Sequence, residues 1–272
     1  MVRHAAVAGQ FYPSSRAALL KEVERCFLSR LGPGALSEVV KDGERMIVGA
    51  VVPHAGLMFS GPVAAHVYAE MARDGLPETV VIIGPNHTGY GRAVSACNED
   101  FETPLGTIKV DQEITSRLRG VVEIDRSAHL YEHSLEVQLP FLQFLSPDIK
   151  IVPLVMGQQD IVMAQETAKV LREACSGKDV LYLASSDFSH YVSPPTARQE
   201  DGRVLDRILE LDAEGVINTV MERNISMCGY GPVATMLLAS DGRRARILHY
   251  GTSGDVHPMD QVVGYAAVVI EK

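Results

Sequence analysis

Cysteine is scarce in this chain, basic residues are in deficit and unbroken apolar runs are short, and each shortage removes a class of protein. The four cysteines, Cys26, Cys97, Cys175 and Cys228, are scattered with no Cys-x-x-Cys pair. Neither a disulfide framework nor a structural zinc knot is encoded, and a reducing compartment is expected. Lys and Arg total 25 against 34 Asp and Glu, a formal net charge of −9. That field repels nucleic-acid phosphates and anionic lipid, and no basic block offsets it. The densest basic group, Arg243, Arg244 and Arg246, precedes a strand-like ILHY and reads as a solvated edge rather than an anion site. No segment reaches the roughly 18 apolar residues of a membrane span. The N-terminal MVRHAAVAGQFYPSS also lacks the apolar core of a secretory signal. A cytoplasmic protein with no nucleic-acid or membrane partner is expected.

What is present is an ordinary globular composition, 46% hydrophobic and 22% charged over 272 residues, enough to bury a core without disulfide or metal staples. Residues 15–31, SRAALLKEVERCFLSRL, have a capping Ser and apolar residues at three-to-four spacing, which predicts an amphipathic helix. Near-continuous apolar runs at 46–53 and 79–85, IKIVPLVM and DVLYLASSDFSH predict strands buried on both faces. Between and around them, PVAAHVYAEMARDG, SLEVQLPFLQFL, IVMAQETAKVLREAC and residues 201–211, 213–223 and 231–240 read as helices. FETPLGTIKV reads as two short strands about a tight turn, followed by a helix over 112–118, with terminal strands at ARILHYG and QVVGYAAVVI. The alternation predicts an α/β fold: a central mixed, largely parallel sheet with helices on both faces. No repeat or linker interrupts it, so one domain over 1–272 is expected.

Chemistry collects at strand ends. VVPHAG puts His54 just past one apolar run, IIGPNHTG puts His87 past a second, and ASSDFSHY puts Asp187 and His190 past a third. In open α/β sheets the crevice outside the carboxyl ends of the strands is where ligands bind. One histidine there often does no more than hydrogen-bond a carbonyl; three in the same position predict a shared site. Cys228, in SMCGYGP before a helix-like stretch, stands where a helix dipole and free N–H groups would lower a thiol pKa. HSLE places His133 and Glu136 three residues apart, on one face if the segment is helical. Glu132 beside them reads as solvated charge, and Phe11 and Tyr12 read either as a cover for the cleft or as core packing. His4, His66, His129, His249 and His257 carry no functional claim.

The motifs AVAGQFYP, VPHAG, IGPNH, FETPLGTI, EHSLEVQLPFL, SSDFSHY, MCGYGP and YGTSGD with VVGYAAV, spread over nearly the whole chain, resemble the Memo-like family, of the AmmeMemoRadiSam system protein B type. The resemblance implies a fold related to class III extradiol ring-cleaving dioxygenases, which use non-haem iron held by two histidines and a carboxylate. It places metal ligands at His54, His87 and Cys228. It also places Asp187 and His190 in the cleft, with His190 as acid/base, and Glu136 as a nearby carboxylate. Cysteine in place of the carboxylate departs from the dioxygenases. Thiolate with two imidazoles suits softer or borderline ions, iron(II), copper or zinc, and iron(II) is the ion expected, with copper or zinc as alternatives. Radical-SAM and AMMECR-type proteins are the partners that the resemblance implies.

The leading expectation is therefore a metal-dependent, dioxygenase-like oxidoreductase acting on a small organic substrate, with His190 moving a proton and Asp187 orienting it or a substrate hydroxyl. A metal hydrolase is chemically close. The alternative is a non-catalytic scaffold that binds a peptide or small anion in the same cleft, and the plainest reading is a hydrogen-bonded network that only fixes loops.

Overall fold

A computed structural model of the chain describes residues 2–272. Twelve strands and nine α-helices follow one another as β1 (Val2–Arg3), α1 (Arg16–Leu28), β2 (Ile47–Val52), α2 (Leu57–Asp74), β3 (Thr79–Pro85), β4 (Val94–Ala96), β5 (Asp100–Thr103), β6 (Gly106–Val110), α3 (Gln112–Thr115), β7 (Val122–Ile124), α4 (Leu139–Leu145), β8 (Lys150–Met156), α5 (Ile161–Ala174), β9 (Val180–Ser185), β10 (His190–Val192), α6 (Pro194–Leu209), α7 (Ala213–Arg223), α8 (Tyr230–Ser240), β11 (Arg244–Thr252), α9 (Ser253–Val256) and β12 (Val262–Glu271). The main strand order is β1-β5-β6-β8-β3-β9-β2-β12-β10. Its centre, β8-β3-β9-β2, is parallel, and β12 pairs antiparallel with β2, β10 and β11.

The apolar runs are continuous because both faces of the sheet are covered. Along β3, Val80 and Ile82 belong to the core that also holds buried residues of α1, α2 and α4, while Val81 and Ile83 belong to the core that holds those of α5, α7 and α8. This is the period-two alternation of a strand with a helical layer on each side. Helix α1 buries Leu19, Val23, Cys26 and Phe27, and the Ser15 side chain caps it by accepting from Ala18 N. Among the described residues no helix is long and apolar enough to cross a membrane. Arg246 is paired with Glu70 and Glu271, each at 3.0 Å, while Arg243 and Arg244 are exposed, so the start of β11 is a solvated edge.

Several element bounds differ from the sequence expectation, for local reasons. Helix α2 starts at Leu57, five residues before Pro62, which sits inside it and removes a single N–H from the ladder. Helix α6 starts at Pro194 rather than near 201, with Ser193 as cap and proline in the first turn, where no N–H is required. The segment 134–145 is not one helix: a 3₁₀ turn over Glu136–Gln138 precedes α4, with Pro140 in its first turn. His133 and Glu136 therefore do not share an α-helical face.

The N-terminal segment is tied to the middle of the chain by a sealed ion pair. Arg3 and Glu136 are 1% and 0% exposed and hydrogen-bonded to each other. Arg3 also donates to the carbonyls of His129 (2.8 Å) and Glu132 (2.7 Å). Glu136 accepts from Ala6 N (2.8 Å), Val7 N (3.0 Å) and the Tyr12 hydroxyl (2.5 Å). Removing one member of such a pair leaves an uncompensated buried charge, at about 3–5 kcal/mol. Arg3→Met is expected to lower the unfolding free energy by about that amount in urea titrations. Arg223→Ala, which breaks the exposed pair with Glu200, is expected to leave the midpoint where it was. Equal effects would show that the buried pair anchors nothing.

Candidate metal centre

The four central parallel strands deliver their carboxyl ends to one place. His54 lies two residues past β2, His87 two past β3, Asp187 two past β9, and Gln159 three past β8. Cys228 precedes α8 and is clamped from this side: Gln159 Nε2 donates to the Cys228 carbonyl (3.0 Å) and its Oε1 accepts from Gly231 N (2.9 Å). Gly229 is required for that approach, since a Cβ there would stand 2.6 Å from Ser186 Cβ and 2.7 Å from the Ser185 carbonyl. Gly84 serves the same purpose in β3, where a Cβ would meet Ser134 Oγ at 2.5 Å and block the segment that carries His133.

The hydrogen-bond network fixes which nitrogen each imidazole presents. His54 is 1% exposed and its Nδ1 lies 2.9 Å from Ser185 Oγ. Ser185 Oγ donates its one proton to the Ser134 carbonyl (2.6 Å) and accepts from Gln138 Nε2 (2.8 Å). Toward His54 the hydroxyl can then only accept, so His54 carries its proton on Nδ1 and turns a lone pair at Nε2 toward Cys228 Sγ, 3.3 Å away. His87 donates Nδ1–H to Glu132 Oε1 (2.9 Å), and its backbone N–H reaches Oε2 (2.6 Å). His190 donates Nδ1–H to the Ser226 carbonyl (2.8 Å), and its Nε2 is left as an acceptor. Donor atoms of His54, His87 and Cys228 all lie within 4.8 Å of one another. Two imidazole lone pairs and a sulfur converging at that spacing, each imidazole oriented by an acceptor at its other nitrogen, is the arrangement a bound transition metal requires.

A family profile described as Memo-like protein matches residues 3–269. A MEMO1 family protein of Methanosarcina acetivorans is 48% identical over 278 residues, 99% of this chain and 99% of that one. This chain belongs to the Memo-like family. A MEMO1 family protein of Ignicoccus hospitalis is 47% identical over 98% of each chain. Among solved structures, an uncharacterized Escherichia coli K12 protein superposes with a TM-score of 0.51 at 15% identity, covering 82% of this chain and 99% of that one. That likeness shows a shared fold.

Within this Memo-like chain the structure changes several roles expected from sequence. Cys228 has no lowered thiol pKa: burial first, and the Asp187 carboxylate next, push it up. The helix N-terminus does not outweigh the loss of water. Asp187, 4% exposed, accepts from His54 N (2.7 Å) and Ala55 N (3.3 Å) through one oxygen, so it shapes the turn that carries His54. Burial raises its carboxyl to about 6 against the pull of those bonds. Glu136 is engaged by Arg3, Tyr12 and two backbone N–H groups, leaving its carboxylate occupied by the N-terminal segment. Phe11 packs against the His133 ring at 4.6 Å, while Tyr12 is core.

Glu132, read from sequence as solvated charge, is 2% exposed and accepts from His87 N, His87 Nδ1, His133 N and Ser134 N. Burial works to raise its carboxyl, but the His87 hydrogen bonds and charge and the backbone N–H groups hold it at about 2. Its adjacency to His133 in YEHS was the available signal; nothing in the pattern distinguished it from a surface acid. Ser185, Gln138 and Gln159 gave no signal, because their roles depend on strands and loops that meet only in the fold. The exposed aromatic side chains among the described residues are Tyr90, Tyr131 and Tyr191, each within three residues of His87, His133 or His190. Tyr191 holds a left-handed φ of 57°, a strained conformation for a bulky residue.

Burial depresses the imidazoles of His54, His129 and His133. His54 falls well below its ordinary value through burial and then the neighbouring His133, His87 and His190. His133 falls to about 4 through burial and then His87, and His129 to about 4 through burial. Unfolded, each titrates near 6.5, so the unfolded chain binds more protons below that pH and stability falls as pH drops. In metal-free protein, His129 and His133 should each contribute about 2 kcal/mol less at pH 5 than at pH 7, and Asp187, shifted upward, should return about 1 kcal/mol. The urea midpoint is expected to fall from pH 7 to pH 5; a midpoint that rises would contradict the buried neutral imidazoles.

Proposed function

We propose that this Memo-like protein is a metal-dependent oxidoreductase related to the extradiol dioxygenases, with His54, His87 and Cys228 as the ligands and a small organic molecule as substrate. The observation that carries the reading is the fixed tautomer of both histidines, which presents two Nε2 lone pairs beside a thiol. Iron(II) held by these three residues would supply redox chemistry, and copper or zinc would also suit a thiolate with two imidazoles. Cys228 would have to give up its thiol proton to hold the ion.

His190 acts at its free Nε2, which takes a proton from the substrate and returns it. The Ser226 carbonyl, already accepting from Nδ1–H, steadies the ring when both nitrogens carry protons. Asp187 positions His54 through two backbone N–H groups. Glu132 fixes His87 in the same way that Ser185 fixes His54. Phe11, pressed on His133, excludes water from the N-terminal side. A second reading, a scaffold that binds a peptide over the same cleft, draws support from the three exposed tyrosines beside the cleft histidines, since tyrosine is enriched where proteins meet.

Elemental analysis of protein purified without oxygen or chelator tests the choice. Near-stoichiometric iron or copper is expected in wild type, with loss in His54→Ala and in Cys228→Ser at unchanged circular dichroism. Glu132→Gln, which keeps the shape but weakens the hold on His87, should lower metal affinity about 10–100-fold. Wild-type protein that takes up no iron, copper or zinc on reconstitution would move the function to the scaffold reading, and a fully loaded His54→Ala protein would sink the assigned ligands.

A further inference from the structure

Away from the cleft, two histidines far apart in sequence meet on the flank of the sheet. His66 on α2 and His249 on β11 are half-buried, and their rings lie face to face, centroids 4.7 Å apart and 7° from parallel. His66 Nε2–H also donates to the Leu31 carbonyl (3.1 Å), which ties the stack to the segment after α1. The strand so held is an outer one. β11 pairs with β12 alone, and its ladder slips at a bulge between Ile247 and His249. Elsewhere the seam between α2 and β11 is held by Glu70 and Arg246, 3.0 Å apart.

One proton suits this pair and two do not. An imidazolium laid on a neutral ring face keeps an attraction of the cation–π kind, whereas a second proton sets like charges face to face where little water screens them. The nearby carboxylates are already taken. On α2, Glu70 is engaged by Arg73 (2.6 Å) and by Arg246 of β11 (3.0 Å). On α9, Asp255 is engaged by Arg198 of α6 (3.1 Å), and its carbonyl accepts from Arg30 (3.0 Å). Four arginines thus surround two carboxylates. Burial first, and for His249 then the charge of His66, holds both imidazoles below their ordinary value; Arg73 adds to this at His66, while the Leu31 carbonyl and Glu70 oppose it there and Asp255 opposes it at His249. A released ring titrates near 6.5, so the open form binds more protons and the stack weakens as pH falls.

We propose that the His66–His249 stack is a proton-operated clasp joining α2 to the outer strand β11, closed while at most one ring is charged and released when both are. The Glu70–Arg246 pair is its fixed end: burial works to raise the Glu70 carboxyl, but Arg246 and Arg73 hold it below the ordinary carboxylate range, so that pair keeps its charges as the histidines titrate. What loosens is the part of β11 beyond the bulge, His249–Thr252, which pairs with Gly264–Ala267 of β12. Its release bares unpaired N–H and C=O groups, the surface through which a sheet accepts another strand. The clasp lies apart from the strand-end cleft and stands whether or not that cleft holds a metal.

Hydrogen exchange of the full-length protein at pH 7 and pH 5, corrected for the intrinsic effect of pH on exchange, reads the clasp directly. In wild type the amides of residues 249–252 are expected to lose protection several-fold at pH 5 relative to those of β3. His249→Phe and His66→Phe each keep a ring in the stack and remove one charge, so the additional loss at 249–252 should vanish in both; His249→Phe also leaves the bond from His66 to Leu31 in place. In NMR titrations, His249 should take up its proton at a higher pH in His66→Phe than in wild type. Protection that falls in step at 249–252 and β3 would assign the acid response to the buried imidazoles of the core and overturn the clasp. The same selective loss in wild type and both phenylalanine variants would overturn it, as would an unchanged His249 titration or a wild type whose 249–252 protection ignores pH.

Discussion

A guanidinium and a carboxylate removed from water must satisfy each other and every remaining lone pair, and the Arg3–Glu136 pair does so by recruiting backbone from two distant parts of the chain. Arg3 takes the carbonyls of His129 and Glu132, and Glu136 takes the N–H groups of Ala6 and Val7. The segment between these contacts carries Glu132, His133 and Ser134. Glu132 orients His87, His133 lies against it, and the Ser134 carbonyl fixes the direction of the Ser185 hydroxyl and so the tautomer of His54. A buried pair of this kind adds little net stability over apolar side chains. Its contribution is positional: the cleft's second layer of hydrogen bonds hangs from it.

That layer also leaves negative charge beside His87: Glu132 is held ionised by its N–H partners, while burial keeps His54 and His133 neutral. A neutral imidazole can accept an electrophile at Nε2 without first losing a proton, whereas the thiol of Cys228, raised by burial and by Asp187, cannot. The candidate donors are thus unequal: His54 is ready and Cys228 responds to what arrives.

Much of the site was readable because sequence and geometry coincide at strand ends. A strand's last apolar residue marks the sheet edge, so His54, His87 and Asp187 could be placed on one edge without coordinates, and the parallel order of β3, β9 and β2 brought them side by side; His190, expected at the same strand end as Asp187, instead opens β10, which pairs antiparallel with β12. The 134–145 segment misled because its apolar spacing fits a helix, and only the proline at 140 and the tight turn before it split the run. Glu132 and Arg3 were invisible for a different reason. A buried charge has no pattern of its own; it is recognised by its partner, and these partners lie far away in sequence, 133 residues in the case of Arg3 and Glu136. The thiol of Cys228 was misjudged because a helix terminus can be seen in sequence and desolvation cannot.

The separation of His54 and Cys228 along the chain sets the order of events at the ribosome. His54 and Cys228 touch across 174 residues, and at synthesis rates of about 5–20 residues per second roughly 10–35 s pass between them. During that time β2 lacks its antiparallel neighbour β12 as well, since Val51 pairs with both Ala184 and Val268. A nascent chain therefore shows the cell two histidines on an unfinished sheet, without the sulfur that would make them a pocket. The pocket is therefore complete only after Cys228 and β12 have been made.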